Sequence, residues 1–235
     1  MIVGIHQPNY LPWLGYMHKI YHSDIFIFFD NTQVPRGSFF NRVNILAGGK
    51  AYLLTVPIKS SGDLNLMIKD CQINNNIKWK KKHWSTIKYS YQKAAYFEKY
   101  ADKFKELIFK DYENLAEFNI DLIKLLTDCF GIKDKKFIVG SSLNVKGTKN
   151  QLLINMLKKV GATTYLSGTG AKEYMVIKDY EDNGIKVVFQ KFTHPIYKQT
   201  VLNFVPNLSS LDLLFNHGPN ALKILLENDI QFEKR

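Results

Sequence analysis

The residues best suited to recognise and react lie close together near the start of the chain. His6-Gln7-Pro8-Asn9-Tyr10-Leu11-Pro12-Trp13 follows a short apolar run, Ile2 to Ile5, and leads into a helical pattern of Leu14, Met17, Ile20 and Tyr21. The prolines end the strand and stiffen the loop, which lowers the ordering cost of holding a ligand. In open α/β folds, a strand-loop-helix junction is where ligands bind, because amides at the helix start point outward. His6 is the natural proton acceptor, since an unperturbed imidazole titrates near neutrality. Asp30 ends the next apolar run, Ile25 to Phe29, and is expected to lie beside His6 and orient its ring. Gln7, Asn9, Tyr10 and Trp13 are then candidates for substrate contact.

A second constellation is Ser167-Gly168-Thr169-Gly170-Ala171, after a short strand. Glycines let the backbone approach an anion and turn its amides toward it. With Lys19 and Arg42, this loop is a candidate phosphate site through Ser167, Gly168 and Gly170, although a plain tight turn accounts for it equally. It is shorter than a Walker loop and does not fit GxGxxG. Near the end of the chain, Asp212 and Asn216 share a helical face behind a Ser209 cap, and Tyr197 and Gln199 alternate onto one side of an extended segment. They read as acceptor or nucleotide contacts, or as capping and loop anchoring.

Metal and thiol chemistry find less support. His18 and His22 stand four apart, but Lys19 occupies the place of a metalloprotease glutamate and no third ligand is evident. They are expected on the surface, with no metal. Cys71 and Cys129 form no CxxC. Cys129 falls on an apolar helical face, and Asp70 would raise the thiol pKa of Cys71. Neither thiol therefore reads as a reactive nucleophile.

These groups must be positioned by alternating strands and helices. Arg42 to Ala47 and Tyr52 to Ile58 predict a hairpin around Gly48-Gly49, with a further strand at Met67 to Ile73. Trp84, Ile87, Tyr91 and Ala94 mark one helical face, and Leu115, Phe118, Leu122, Leu125 and Cys129 another, stopped by Gly131. Phe137 to Gly140, Thr164 to Leu166 and Ile185 to Phe189 read as strands. Thr148 and Gln151 form a capping box that opens a helix over Leu152 to Val160. Short helices at about 210–216 and 220–226 close the chain. The expectation is one α/β domain over 1–235, a mixed sheet with a helical insertion or subdomain around 77–131.

The chain has 235 residues, 46% of them hydrophobic, and a formal net charge of +11. That composition supports a sizeable core and excludes disordered, collagen-like and coiled-coil classes. No apolar run approaches the ~20 residues of a membrane span, and no signal-like segment opens the chain, so a cytoplasmic location is expected. Between Lys78 and Lys110, ten lysines face only Glu98, Asp102 and Glu106, so this window carries +7 of the +11. Such a face suits an anionic partner, with Lys80, Lys81 and Lys82 as docking candidates. A solvated helix surface is the plainer reading. Nucleic acid is the weaker partner because the chain holds only three arginines.

The opening His6-to-Lys19 stretch resembles the start of the WbqC-like family, a His-x-Pro-x-Tyr-x-Pro-Trp-x-Gly-like run. The resemblance continues through Asp30-Asn31-Thr32-Gln33, Phe40-Asn41-Arg42 and Tyr52-Leu53-Leu54-Thr55-Val56-Pro57. It extends over Tyr165 to Tyr174, Tyr197-Lys198-Gln199 and Ser209 to Gly218, and so covers the whole chain. One departure is Asn31, where a second acid would follow Asp30; a paired-carboxylate mechanism loses support there. Gln33 and Tyr174, within these pieces, join the candidates for substrate contact.

The resemblance implies a role in O-antigen or other surface-polysaccharide (lipopolysaccharide) biosynthesis. The implied activity is acyl or aminoacyl transfer to the amine of an amino-sugar nucleotide. The donor would be the phosphopantetheine thioester of an acidic acyl carrier protein, with no tightly bound cofactor. Such a thioester is already activated, so the reaction needs a deprotonated amine, positioning and donors for the oxyanion. Two other classes compete. One is an ATP-using, adenylate-forming enzyme of strand-loop-helix type, although Asn9 stands where its second histidine would be. The other is a non-catalytic nucleic-acid or anion-binding module, in which Trp79, Trp84 and Tyr89 among the lysines would stack on bases.

Overall fold

The computed structural model describes residues 1–35, 37, 39–59, 65–173 and 175–228. Tyr174 lies outside the described residues. The chain begins with strand β1 (Ile2–His6), helix α1 (Leu14–Tyr21) and strand β2 (Ile25–Phe28). A hairpin follows, β3 (Arg42–Ala47) and β4 (Lys50–Thr55), then three helices, α2 (Trp79–Tyr91), α3 (Phe97–Phe109) and α4 (Leu115–Cys129). The chain then re-enters the sheet with β5 (Lys136–Val139), α5 (Lys149–Lys159), β6 (Thr164–Ser167), α6 (Ile177–Glu181) and β7 (Lys186–Phe189). It ends in α7 (Ser210–His217) and α8 (Ala221–Leu225).

The protein is α/β, with its strands divided between two sheets. β5-β2-β1-β6-β7 form a five-stranded sheet in which every pairing is parallel, and β3-β4 stand apart as an antiparallel pair. Parallel strands are covered on both faces, which is why β1 and β2 read as unbroken apolar runs. Phe26 and Phe28 point into a core shared with α1, the hairpin, the three-helix insertion, α7 and α8. Val3, Ile5, Ile25 and Ile27 point the other way, against α5 and Tyr180 of α6. Side-chain alternation along each strand thus divides the protein into two layers around the sheet.

Gly4 lies close against the connection from α1 to β2 and against β2 itself. A Cβ there would sit 2.4 Å from the Ser23 hydroxyl and 3.1 Å from the Phe26 ring. His6, two residues on, shares that face and meets Tyr16 of α1 edge-on, ring centroids 4.8 Å apart.

Several local expectations change in three dimensions. Met67 to Ile73 is not a strand: Ile68–Asp70 form a 3-10 turn, flanked by single bridges from Met67 to Gln33 and from Ile73 to Ile58. Thr148 sits at the start of α5, but its side chain makes no capping bond, so the capping box is not formed. Ser209 does cap α7, accepting from the Leu211 N–H at 3.2 Å. No helix among the described residues is long and apolar enough to cross a membrane.

Candidate functional site

Counted by order of appearance in the five-stranded sheet, the strands lie third, second, first, fourth, fifth. The order reverses between β1 and β6, and in open parallel sheets ligands bind in the crevice at the carboxyl ends of the strands at that point. A pocket of about 240 Å³ occupies this place, lined by His6, Trp13, Gly15, Tyr16, Lys19, Gly168, Thr169, Gly170, Gln190 and Phe192. β1 supplies His6, α1 and its entry supply Trp13 to Lys19, and the ends of β6 and β7 supply the remainder. The volume of about 240 Å³ is below the 300–1,000 Å³ of a typical drug-sized site, too small to enclose a whole nucleotide sugar.

The loop that carries the site is rigidly held. The Asn119 amide on α4 donates to the carbonyls of Pro8 and Phe40, both at 2.8 Å. Tyr10 is completely buried, and its hydroxyl donates to His83 Nδ1 at 3.0 Å, while His83 Nε2 donates to Thr55 O. At the far end, the N–H and hydroxyl of Ser210 both donate to Pro12 O at 2.8 Å. Between these anchors Leu11, fully buried, is held at φ 41°. A leucine in this region is strained, and such strain persists where the surroundings over-determine the backbone.

His6 is oriented by the backbone. Its Nδ1 lies 3.0 Å from Gln7 O, which also accepts the Tyr16 hydroxyl at 3.0 Å. A carbonyl can only accept, so Nδ1 carries the hydrogen and Nε2 keeps its lone pair. Desolvation by the surrounding protein, then the charge of Lys19, pull the imidazole down to about 3, against an upward pull from the Gln7 carbonyl. His6 is neutral at physiological pH.

The expected pairing of His6 with Asp30 is not formed. The parallel register sets His6 opposite Phe28, so Asp30 lies past the end of that pairing. Its carboxylate is buried and accepts from the Ser141 N–H at 2.7 Å and the Ser141 hydroxyl at 2.6 Å. It fastens the turn after β5, and the orienting role falls to Gln7 O.

Lys19 also lines the pocket, 4% exposed. Among the described residues no hydrogen bond or ion pair holds its ammonium. Burial pulls its pKa down to about 8. The ammonium lies 3.5 Å from the point where a Gly168 side chain would begin, so Lys19 and the glycine turn form one corner of the pocket. Arg42, expected beside them, belongs to the hairpin and is not among the lining residues.

Opposite is an aromatic wall. Trp13 is 39% exposed and meets Phe192 edge-on, ring centroids 5.4 Å apart. A Cβ at position 15 would lie 2.4 to 2.9 Å from three atoms of the indole, so glycine is what lets the ring rest on the start of α1. Gln190 ties β7 to the same helix, its amide donating to Gly15 O at 2.7 Å and to His18 Nδ1 at 2.9 Å. His18 is buried by this contact, contrary to the surface position expected of it. Among the described residues no group of three or more His, Cys, Asp or Glu is placed to hold a metal.

The remaining candidates fall elsewhere. Gln7 enters the site through its carbonyl, Asn9 is buried outside the pocket lining, and Gln33 is exposed, its amide 3.4 Å from Asn65. Ser167 is buried behind the glycine turn. Tyr197, Gln199, Asp212 and Asn216 anchor the segment between β7 and α7. The Gln199 amide donates to Asp212 Oδ2 and Val205 O at 2.9 Å, Tyr197 is buried against His217, and the Asn216 amide donates to the Asp212 carbonyl. Burial raises the Asp212 pKa. These four do not line the pocket.

On α2, Lys81 and Lys82 are exposed, but Lys80 donates to Lys110 O and pairs with Asp111 at 3.0 Å, so it is tied to the surface it was expected to leave free. Trp79 is buried and Trp84 stacks on Phe97, leaving Tyr89 as the exposed aromatic among the three proposed for base stacking. Gly15, Tyr16, Thr169, Gln190 and Phe192 were not singled out from sequence. The signal available for Gln190 and Phe192 was their position just past a parallel strand.

A family model described as the WbqC-like protein family matches residues 7–224. An uncharacterised protein of Mycobacterium tuberculosis is 30% identical over 222 residues, covering 93% of this chain and 95% of its own length. No solved structure matches.

Proposed function

We propose, from the premise that this chain belongs to the WbqC-like protein family, that it is a transferase. It would join an acyl or aminoacyl group, carried as a phosphopantetheine thioester on an acidic carrier protein, to the amine of an amino-sugar nucleotide. The setting would be surface-polysaccharide biosynthesis in the cytoplasm. The observation that carries this reading is the pocket at the strand-order reversal, where neutral His6 and Lys19 share one space and, among the described residues, no carboxylate lines it or pairs with Lys19.

In the proposed reaction the neutral amine attacks the thioester carbon. The N–C bond forms, the C–S bond breaks, and the surplus amine proton passes to His6 Nε2. The imidazolium then returns that proton to the departing thiolate, so the products are an amide and a free thiol. Lys19 and the Gly168–Gly170 turn favour an anionic acceptor, and Trp13 with Phe192 offers a face for its ring. The exposed lysines of α2 and α3 would steer the carrier protein.

An adenylate-forming enzyme is the second reading, favoured by the strand order itself, which suits mononucleotides at its reversal. A thermal-shift panel with ATP, coenzyme A, and uridine and thymidine diphosphate sugars with and without an amino group separates the two. Stabilisation by an amino-sugar nucleotide but not ATP supports the transferase. Stabilisation by ATP alone, with ATP–pyrophosphate exchange, replaces it with the adenylate-forming reading.

A further inference from the structure

A buried lysine without a counter-charge is costly unless a ligand supplies one. Lys19 is such a residue: it is 4% exposed, lines the pocket, and has no hydrogen bond or ion pair among the described residues. Its ammonium adjoins Gly168, where the absence of a side chain leaves the turn's backbone open to an incoming group. The other titratable groups on the pocket wall are His6 from β1 and Tyr16 from α1, and no carboxylate comes from α1, β6 or β7. His18, behind the wall, is occupied by the Gln190 amide. Among the described residues, the ammonium therefore meets no protein acid.

We propose that the corner formed by Lys19 and the Gly168–Gly170 turn seats a phosphate or diphosphate group of the substrate. This deepens the transferase reading and rests on it for the identity of that substrate. An anion in this corner supplies the counter-charge that the described residues do not give the Lys19 ammonium.

The phosphate has two sources, a nucleotide sugar's diphosphate and the phosphodiester of a phosphopantetheine arm, so the test begins with what they share. Calorimetric titration of the full chain with inorganic pyrophosphate at pH 7 and low salt is compared between wild type and Lys19→Met. Binding at least tenfold weaker in the variant supports the seat, and equal binding overturns it. Should the variant not fold, the wild-type affinity alone decides. It falls steadily as pH rises through about 8, where Lys19 loses its proton, whereas an affinity indifferent to pH from 7 to 10 overturns the seat.

Competition by uridine diphosphate assigns the seat to the acceptor, and competition by 4′-phosphopantetheine assigns it to the donor. Competition by neither overturns it. Amide formation with an unchanged KM in Lys19→Met refutes this seat while leaving the transferase intact. Unchanged turnover in His6→Gln refutes the transferase mechanism while leaving the seat intact.

Discussion

His6 and Lys19 line the same pocket, and the charge of the lysine helps hold the histidine neutral. This reverses the more common arrangement in which a carboxylate orients an imidazole and makes it more basic. Here the Gln7 carbonyl does the orienting, and among the described residues the charge that acts on the ring is the positive one of Lys19. Such a site is incomplete until an anion enters, and the chemistry proposed for it follows from that incompleteness.

Replacing His6 by Gln removes the Nε2 lone pair and keeps a polar side chain of similar reach. For amide formation, kcat is expected to fall by roughly 10²–10⁴, the usual range for loss of a general base. KM for the acceptor should change little. Steady-state kinetics with a loaded carrier protein reads both constants.

Gly15→Ala places a methyl group where the Trp13 ring now rests. Because Trp13 is partly exposed, the indole swings aside at little cost to the fold. The aromatic wall is lost, however, and affinity for a ring-bearing ligand should drop about tenfold, consistent with the worth of one aromatic stack. Tryptophan fluorescence and ligand titration on the same sample check this.

Lys81→Glu with Lys82→Glu reverses two exposed charges on α2. At low salt the KM for an acidic carrier protein is expected to rise roughly tenfold, with the acceptor KM unchanged. Lys80 is excluded from this pair because it already serves Lys110 and Asp111.

Acid stability follows from the depressed histidines. Burial holds His6 at about 3 and His83 at about 4 in the folded chain, against an ordinary 6.5. Below pH 6.5 the unfolded chain therefore binds protons that the folded chain refuses, and stability falls as pH drops toward 4. The Tm of wild type should decline over that interval, and more steeply than that of His6→Gln.

Lys19 works in the opposite pH range. Its folded pKa of about 8 lies below the ordinary 10.5, so stability rises as pH increases between those values. Lys19→Met removes a burial cost on the order of 3 kcal/mol at pH 7, and a Tm higher by roughly 5–10 °C is expected in the ligand-free protein. A calorimetric scan reads this directly.

Much of the frame is legible in the residues. Ile2 to Ile5 and Ile25 to Phe29 read as buried strands because both faces of a parallel sheet are covered, and Gly48-Gly49 marks the hairpin. The His6-to-Trp13 loop stands out for the same reason it works: prolines and polar groups follow a strand end. What local pattern does not carry is pairing across the chain. Nothing near Asp30 announces that Ser141 takes its carboxylate, and nothing near Lys19 announces its burial, because a lysine on an amphipathic helix reads as solvated. α1 is buried from Leu14 to Ile20, enclosed between the sheet and later segments of the chain. That enclosure converts an ordinary surface charge into the centre of the site. Tyr10 shows the converse, a recognition-like side chain committed to His83 and the core.

The most direct test of the account is to incubate the purified chain with an acyl- or aminoacyl-loaded carrier protein and a uridine or thymidine diphosphate amino sugar, and to weigh the sugar product by mass spectrometry. The account predicts an amide product together with free carrier thiol, formed by wild type and nearly abolished in His6→Gln. No amide with any loaded carrier and amino-sugar nucleotide, alongside stabilisation by ATP alone, would contradict it.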